Sequence, residues 1–559
     1  MLNKARCGLR FSLAGVSFMA LMACGGDDRS GGAPDETGGT LVIATPAEPA
    51  NLMPPVLLSL AEKQVVDQLY DFLAVIPQSM ATVGDAGYSP RLATSWTWSP
   101  DSTSVAFTLA GNAQFHDGRR VTAHDVKFSY DLYMDPKVGS IHAVALPPID
   151  SVVVVDSLTI RFRFSDKGPE RFFHLVYNLA VLPEHAFEGV DRSKLAESAL
   201  AAAPIGSGPF KFGRWERGTT LELTANTAYH GGRPALDRIV WRFGGDFATA
   251  ARSVVAGESD LVEMLRPEGM QQVTPEGGAR AVEYPTYEHG YLLFNTRSTT
   301  NREQPHPILG DVRVRRALAM AIDRPAVVRN AYDSLAALSY GPFTRPQWSA
   351  DTTITQIAHD IEGARQLLDS SGWRDGNGDG IRERNGKPLR FALLVPSVSA
   401  ARQRIAVVLQ EQLRQVGADV RIESVEPASL GPQLGSGKFE SFIHVWHIDP
   451  SPASIEQTWG SRDLARSANF GWYSNPRVDS LIEAAQQEAD LGRARALYRA
   501  LYEQIISDVP AVFLWEPRNF ALVSKRFRFD GLRGDAWWSD LESWYVPRAE
   551  RIPRDNVGQ

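Results

Sequence analysis

Both cysteines of this 559-residue chain, Cys7 and Cys24, lie near its amino end, so everything after them must be held together by apolar burial alone. A disulfide framework and a thiolate metal or nucleophile site are thereby excluded from the body of the chain. Lys4, Arg6 and Arg10 precede an apolar stretch from Phe11 to Ala23. Its length fits the apolar region of a secretory leader, roughly 7–15 residues, and falls short of the ~20 that cross a bilayer. No later stretch is apolar enough to span. The formal charge is -7, and loss of those three cations with the leader would take it to -10. An acidic balance of this kind argues against nucleic acid as a partner. A body of roughly 520 residues exceeds what one core supports and is expected to divide into two or three domains.

The leader ends in "LMAC", where Leu21 and Ala23 match the lipobox of bacterial lipoproteins and Met22 is its less typical member. That resemblance implies residues 1–23 as signal peptide, cleavage before Cys24, and a lipid on the Cys24 sulfur. The following "GGDDRSGGAPDETGG" has no apolar periodicity and reads as a flexible tether over residues 24–39, with a reach on the order of 20 Å.

Beyond the tether, "TLVIA" reads as a first strand feeding a proline-rich loop. "SWTWSPDSTSVAFTLAGNAQFHDG" and "SVVVVDSLTIRFRFSD" read as hairpins, with Val105, Phe107 and Leu109 alternating in the first and Leu158, Ile160, Phe162 and Phe164 in the second. Thr122 with Asp125 three residues on predicts a capped helix start, and Asp311 predicts another ahead of "VRVRRALAMAI". "LRFALLV", an amphipathic stretch carrying Ile405, Val408, Leu409, Gln412, Leu413 and Val416, and "ADVRIES" form a βαβ unit with a parallel crossover. Val478, Leu481, Ile482 and Ala485 mark one later helical face, Leu497, Leu501 and Ile505 another. Asp375 to Gly386, "DGNGDGIRERNG", imitates a calcium loop but has Gly386 where the bidentate glutamate belongs, leaving a Gly-rich turn or a weak calcium site. "GPQLGSGKF" lacks phosphate-loop spacing, and HExxH and GxSxG are absent, so the standard ATP-site, zinc-protease and serine-hydrolase signatures are missing.

Four segments, "LATSWTWSPDSTSVAFTLAGNAQFHDGRRVTAHDVKFSYD", "PIGSGPFKFGRWERGTTLELTANTAYHGGRPALDRIVWRF", "YLLFNTRSTTNREQPHPILGDVRVRRALAMAIDRPAVV" and "YSNPRVDSLIEAAQQEADLGRARALYRALYEQIISDVPAVFLW", resemble in order and spacing the family 5 (peptide/nickel) extracellular solute-binding proteins of ABC transporters. Ser207 and Phe210 stand where Thr and Tyr are usual. The resemblance implies an α/β, two-lobed periplasmic-binding-protein-like fold of the cluster C type, with an extra domain and a ligand cleft between lobes. Domain I would take residues 40–58, 196–289 and 515–559, domain II 59–195, and domain III 290–514, the chain crossing between lobes near "YLLFNT" and "AVFLWEP". It further implies a monomer without cofactor or catalysis, at the periplasm or cell-envelope surface, that hands a solute to ABC permease subunits. A short peptide suits such a cleft, because its backbone pairs with strand edges whatever its side chains. A nickel chelate, another cofactor or an oligosaccharide is the alternative cargo within the fold, for import or sensing, and a peptidase is the alternative of a different class.

"WHIDPSP" carries the sharpest site expectation. Peptide binders of the family resemble one another in a Trp followed three residues later by an Asp that accepts the ligand's ammonium, and Trp446 and Asp449 have that spacing. From the residues alone Asp449 has two other roles open to it: a helix cap ahead of Pro450, a role Ser451 offers equally, or a metal ligand with His444 and His447. Strand alternation points those two histidines to opposite faces. The resemblance also places Glu48, Tyr70, Tyr291 and Trp472 in cleft-lining segments, where each aromatic has a core position as its plainer role.

Overall fold

The computed structural model describes residues 37–265, 267–462, 464 and 467–556. The leader, Cys24 and the tether up to residue 36 lie outside the described residues.

Three sheets organise the chain, with strands numbered here in chain order. The first has seven strands in the order β12 (Ala279–Tyr284), β21 (Asn519–Ser524), β11 (Leu261–Val262), β1 (Thr40–Thr45), β10 (Arg238–Phe243), β9 (Thr220–Ala225) and β8 (Phe210–Glu216). The run "TLVIA" is its centre, paired in parallel with β10 so that Val42 faces Val240. The second is a four-stranded antiparallel meander, β4 (Ala93–Trp98), β5 (Ser104–Leu109), β7 (Thr159–Phe164) and β6 (Ile149–Val154). Both expected hairpins are in it. Phe107, Ile160 and Phe162 point into the core while Arg161 and Arg163 point to water, the alternation expected of a sheet covered on one side. Two short ribbons, β2 (Ala74–Val75) with β3 (Ser89–Pro90) and β15 (Glu383–Arg384) with β16 (Lys387–Pro388), decorate the surface.

The third sheet has six strands in the order β14 (Ala336–Leu338), β20 (Ala511–Pro517), β13 (Glu288–Phe294), β19 (Ser441–His447), β17 (Arg390–Pro396) and β18 (Asp419–Val425). Its β17, the helix Ala400–Arg414 and β18 form the expected parallel crossover, with Ile405, Leu409 and Leu413 buried against the sheet. The predicted helix starts hold as well: Thr122 N–H donates to Asp125 Oδ2 at 2.9 Å, and Asp311 Oδ1 accepts from Arg313 N–H at 2.9 Å. In the loop after Trp373 the Asp375 carboxylate accepts from the N–H groups of Gly378 (2.7 Å) and Gly380 (3.0 Å), so this acid closes its own turn.

Buried apolar side chains divide the molecule into two lobes. One core fuses the seven-stranded and four-stranded sheets, joining Leu41, Leu223, Trp241, Phe107, Phe162 and Trp544, and a small cluster covers the other face of the seven-stranded sheet. Two further cores cover the two faces of the six-stranded sheet. The chain passes from β12 to β13 through residues 285–287 and returns from β20 to β21 through Arg518. Among the described buried apolar residues, Val83 is the single member of the six-stranded sheet's cores that comes from the other lobe.

Candidate functional site

Strand β19 sets out the site by alternation. Phe442, His444 and Trp446 share one face, and the His444 ring stacks on Tyr291 of β13 (centroids 5.3 Å apart, planes 10° apart) and on Phe470 (5.9 Å, 14°). Trp446 meets His444 edge-on at 5.7 Å. Burial drives the His444 pKa down to about 4, so the ring is neutral and behaves as one more aromatic in the stack. His447 is exposed on the opposite face, opposite Glu288. Among the described residues no group of three or more His, Cys, Asp or Glu side chains is placed to hold a metal ion.

The turn that follows β19 is tied down by its backbone. Ile448 N–H donates to the Tyr287 carbonyl at 2.7 Å, in the first of the two interlobe passages. The Asp449 carbonyl accepts from Gln347 Nε2 at 3.0 Å. Ser451 Oγ accepts from Ala453 N–H at 3.2 Å and so caps the short turn Pro452–Ser454. The cap that the sequence offered to either residue therefore belongs to Ser451. The Asp449 side chain is exposed at its surface, and among the described residues its carboxylate has no hydrogen bond or ion pair. The protein packed around it still raises its pKa, against a smaller opposing pull from His447. An unpaired carboxylate held by a rigid backbone is a ready acceptor for a cationic group.

The other lobe reaches this turn through Glu170, which precedes the helix Arg171–Asn178. Glu170 Oε2 accepts from Ser451 Oγ at 2.6 Å, and Oε1 accepts from Thr82 Oγ1. Thr82 Oγ1 in turn accepts from Trp348 Nε1 at 2.8 Å. Burial raises the Glu170 pKa, and its hydrogen bonds to Ser451 and Thr82 and the nearby Arg171 pull it back. Beside the same passage, Arg533 grips Asp535 through two bonds of 3.0 and 2.6 Å, and Tyr177 OH donates to Asp535 at 3.2 Å. The Tyr287 hydroxyl is buried there without a partner among the described residues.

Of the residues expected at the site, the structure brings Tyr291, His444 and Trp446 into one aromatic stack leading to Asp449. Tyr291 itself is 3 % exposed, as is usual for a core aromatic. Tyr70 is buried in the other lobe at the end of the helix Leu60–Leu69. Glu48 braces the turn between β8 and β9, accepting from Trp215 Nε1 at 2.9 Å and Gly218 N–H at 3.0 Å. Trp472 is half-buried, with the Arg302 guanidinium 4.2 Å above its ring. Sequence reasoning missed Glu170, Thr82, Gln347 and Trp348. No local pattern singles them out, because each acts on a residue far away in the chain.

Residues 87–463 match the family model described as bacterial extracellular solute-binding proteins, family 5. The chain is 26 % identical over 552 residues to the oligopeptide-binding protein AppA of Bacillus subtilis (strain 168), covering 97 % of this chain and 98 % of that one. It is 27 % identical over 497 residues to the probable D,D-dipeptide-binding periplasmic protein DdpA of Escherichia coli (strain K12), covering 87 % and 90 %. The structure of the B. subtilis AppA protein in complex with a nonapeptide superposes with a TM-score of 0.70 at 25 % identity, covering 91 % of this chain and 99 % of that one.

Proposed function

Because the chain belongs to the bacterial extracellular solute-binding proteins of family 5, we propose that it captures short peptides between its two lobes and delivers them, without chemistry, to the permease of an ABC importer. Asp449 takes the peptide's α-ammonium. Trp446 and Trp472 form walls that accept varied side chains, Tyr291 supports Trp446 through the His444 ring, Tyr70 backs the cleft from the opposite lobe, and Glu48 holds the loop after β1. Domains I, II and III divide as the family pattern implies, at residues 58/59, 195/196, 289/290 and 514/515. The protein works as a monomer at the periplasm or cell-envelope surface, held to a membrane by lipid on Cys24.

The observation that carries this reading is the Asp449 carboxylate, without a hydrogen-bond or ion-pair partner among the described residues in a turn whose cap is already supplied by Ser451. A buried ammonium needs such a partner, since an uncompensated charge removed from water is expensive. The names of the relatives AppA and DdpA, both peptide-binding, support the same cargo. Native mass spectrometry of freshly purified protein is the direct test. A ladder of co-purified peptide masses is expected, whereas a single discrete non-peptide mass would overturn the reading. In the same preparation Cys24→Ser is expected to lose its acyl mass and leave the membrane fraction while retaining the peptides.

A further inference from the structure

The turn bearing Asp449 has three supports, and they differ in origin. Gln347 belongs to the same lobe as the turn and Tyr287 to the passage between lobes, but Glu170 comes from the opposite lobe. The direction of each hydrogen bond around Glu170 is set by chemistry. Trp348 Nε1 and Ala453 N–H can only donate, so they occupy lone pairs on Thr82 Oγ1 and Ser451 Oγ and leave both hydroxyl protons for Glu170. Each carboxylate oxygen thus receives one proton donor, Oε1 from its own lobe and Oε2 from the other. Thr82 is fully buried, Ser451 is 3 % exposed, Trp348 6 % and Glu170 8 %, and Val83 beside Thr82 packs into the other lobe's core. His174 at 4.0 Å, Arg171, Tyr88 and Tyr498 are the other titratable groups around the carboxyl. His174 is neutral, its pKa lowered to about 4 by burial, and Arg171 is tied to Asp166 at 2.6 Å.

We propose that Glu170 is the positioning residue of the binding site: from the opposite lobe it holds Ser451, and through it the Asp449 turn, only when the lobes are closed. Opening the lobes breaks the Ser451–Glu170 and Trp348–Thr82 bonds together and returns Glu170 to water. Closure therefore makes the anchor rigid, and a ligand held by Asp449 stabilises the same state that Glu170 does. The inference rests on the peptide-capture reading for the role of Asp449, whereas the closure assigned to Glu170 is read separately on the ligand-free protein.

The test uses the mature chain with Cys24→Ser, carrying spin labels on cysteines introduced at Val153 and Val407, which are 47 % and 59 % exposed and lie on opposite lobes. Double electron–electron resonance on the ligand-free protein reads the interlobe distance. Glu170→Gln, which turns an amide N–H towards one of the hydroxyl protons, and Ser451→Ala are each expected to lower the closed-to-open ratio ~10- to 100-fold, the weight of a hydrogen bond to a charged group. The double variant should add little to either single one, Ser451→Thr should restore the wild-type distribution, and Thr82→Val should open the lobes by breaking the same chain from its other end. With tri-alanine, release should quicken in the opened variants while association is unchanged. Wild-type distances in both Glu170→Gln and Ser451→Ala, or strictly additive effects in the double variant, would overturn the inference. Failure of tri-alanine to shift the wild-type distances would instead remove the peptide reading, and Glu170 would still be judged on the ligand-free distances.

Discussion

Asparagine at position 449 keeps the shape of the aspartate and loses its charge, so it separates anchoring from architecture. Ser451 holds the cap, and the turn is tied through Ile448 and the Asp449 carbonyl, so Asp449→Asn should melt like wild type. A peptide ammonium left buried without its partner costs roughly 2–5 kcal/mol, which is a loss of about 30- to 4,000-fold in affinity. Calorimetric titration with free and N-acetylated tri-alanine checks it: acetylation should weaken binding to wild type and matter little to the variant. Because packing raises the Asp449 pKa, the wild-type carboxylate takes up its proton at a higher pH than an ordinary aspartate. Peptide affinity should accordingly fall as the pH drops through that raised value, and the variant should show no such loss. The Trp446 to Asp449 spacing was legible in the sequence, and so was the rivalry between Asp449 and Ser451 for the cap. Glu170 was not legible: its contact with Ser451 spans 281 residues, and that with Thr82 spans 88. No periodicity carries information over such separations.

Elements with a strong local period were readable, and those specified by their neighbours were not. The hairpins β4–β5 and β6–β7 and the crossover from β17 to β18 follow from alternation and from a helical stripe. β14 and β11, three and two residues long, exist only because a longer strand lies beside them. β13 shows the same dependence in its packing. Gly290 sits where its pairing with β20 shifts register, and a Cβ there would overlap the indole ring of Trp515, a side chain with no exposed surface. Gly290→Ala must push that ring out of a close-packed core, at a cost of about 1–3 kcal/mol. Urea unfolding of the purified variant should show a lower midpoint with an unchanged slope, and an unchanged midpoint would mean that Trp515 has room to move.

At the scale of the whole molecule, the joint between lobes carries an unusual acid. Glu516 is near the end of β20, one of the two strands that lead from lobe to lobe, and is 3 % exposed. Arg345 pairs with its Oε2 at 3.0 Å, while Oε1 is buried without a partner among the described residues, and burial pushes the carboxyl up to about 7. A carboxyl raised in the folded state contributes stability that is complete below its unfolded value, near 4.5, and is lost as the pH rises through 7. Between pH 5 and pH 8 this group should withdraw roughly 3 kcal/mol, by the conversion of about 1.4 kcal/mol per pKa unit. Denaturant titrations across that range should slope less for Glu516→Gln than for wild type, and parallel curves would refute the assignment. Division of the body into several cores was foreseeable from length alone, and the family resemblance implied two crossings. The pairing order of the strands at the joint was not written in any local pattern.

That order governs the sequence of events during synthesis. β21 lies between β12 and β11, and its six residues are separated from β12 by the entire six-stranded lobe. At bacterial translation rates of about 5–20 residues per second, β12 waits on the order of 10 to 50 s after emerging before the strand it pairs with exists. Through that interval the second lobe can form as an unbroken stretch of chain, while the first has two open sheet edges in need of cover from a chaperone or a secretion channel. The last segment made is thus the one that completes the first domain begun.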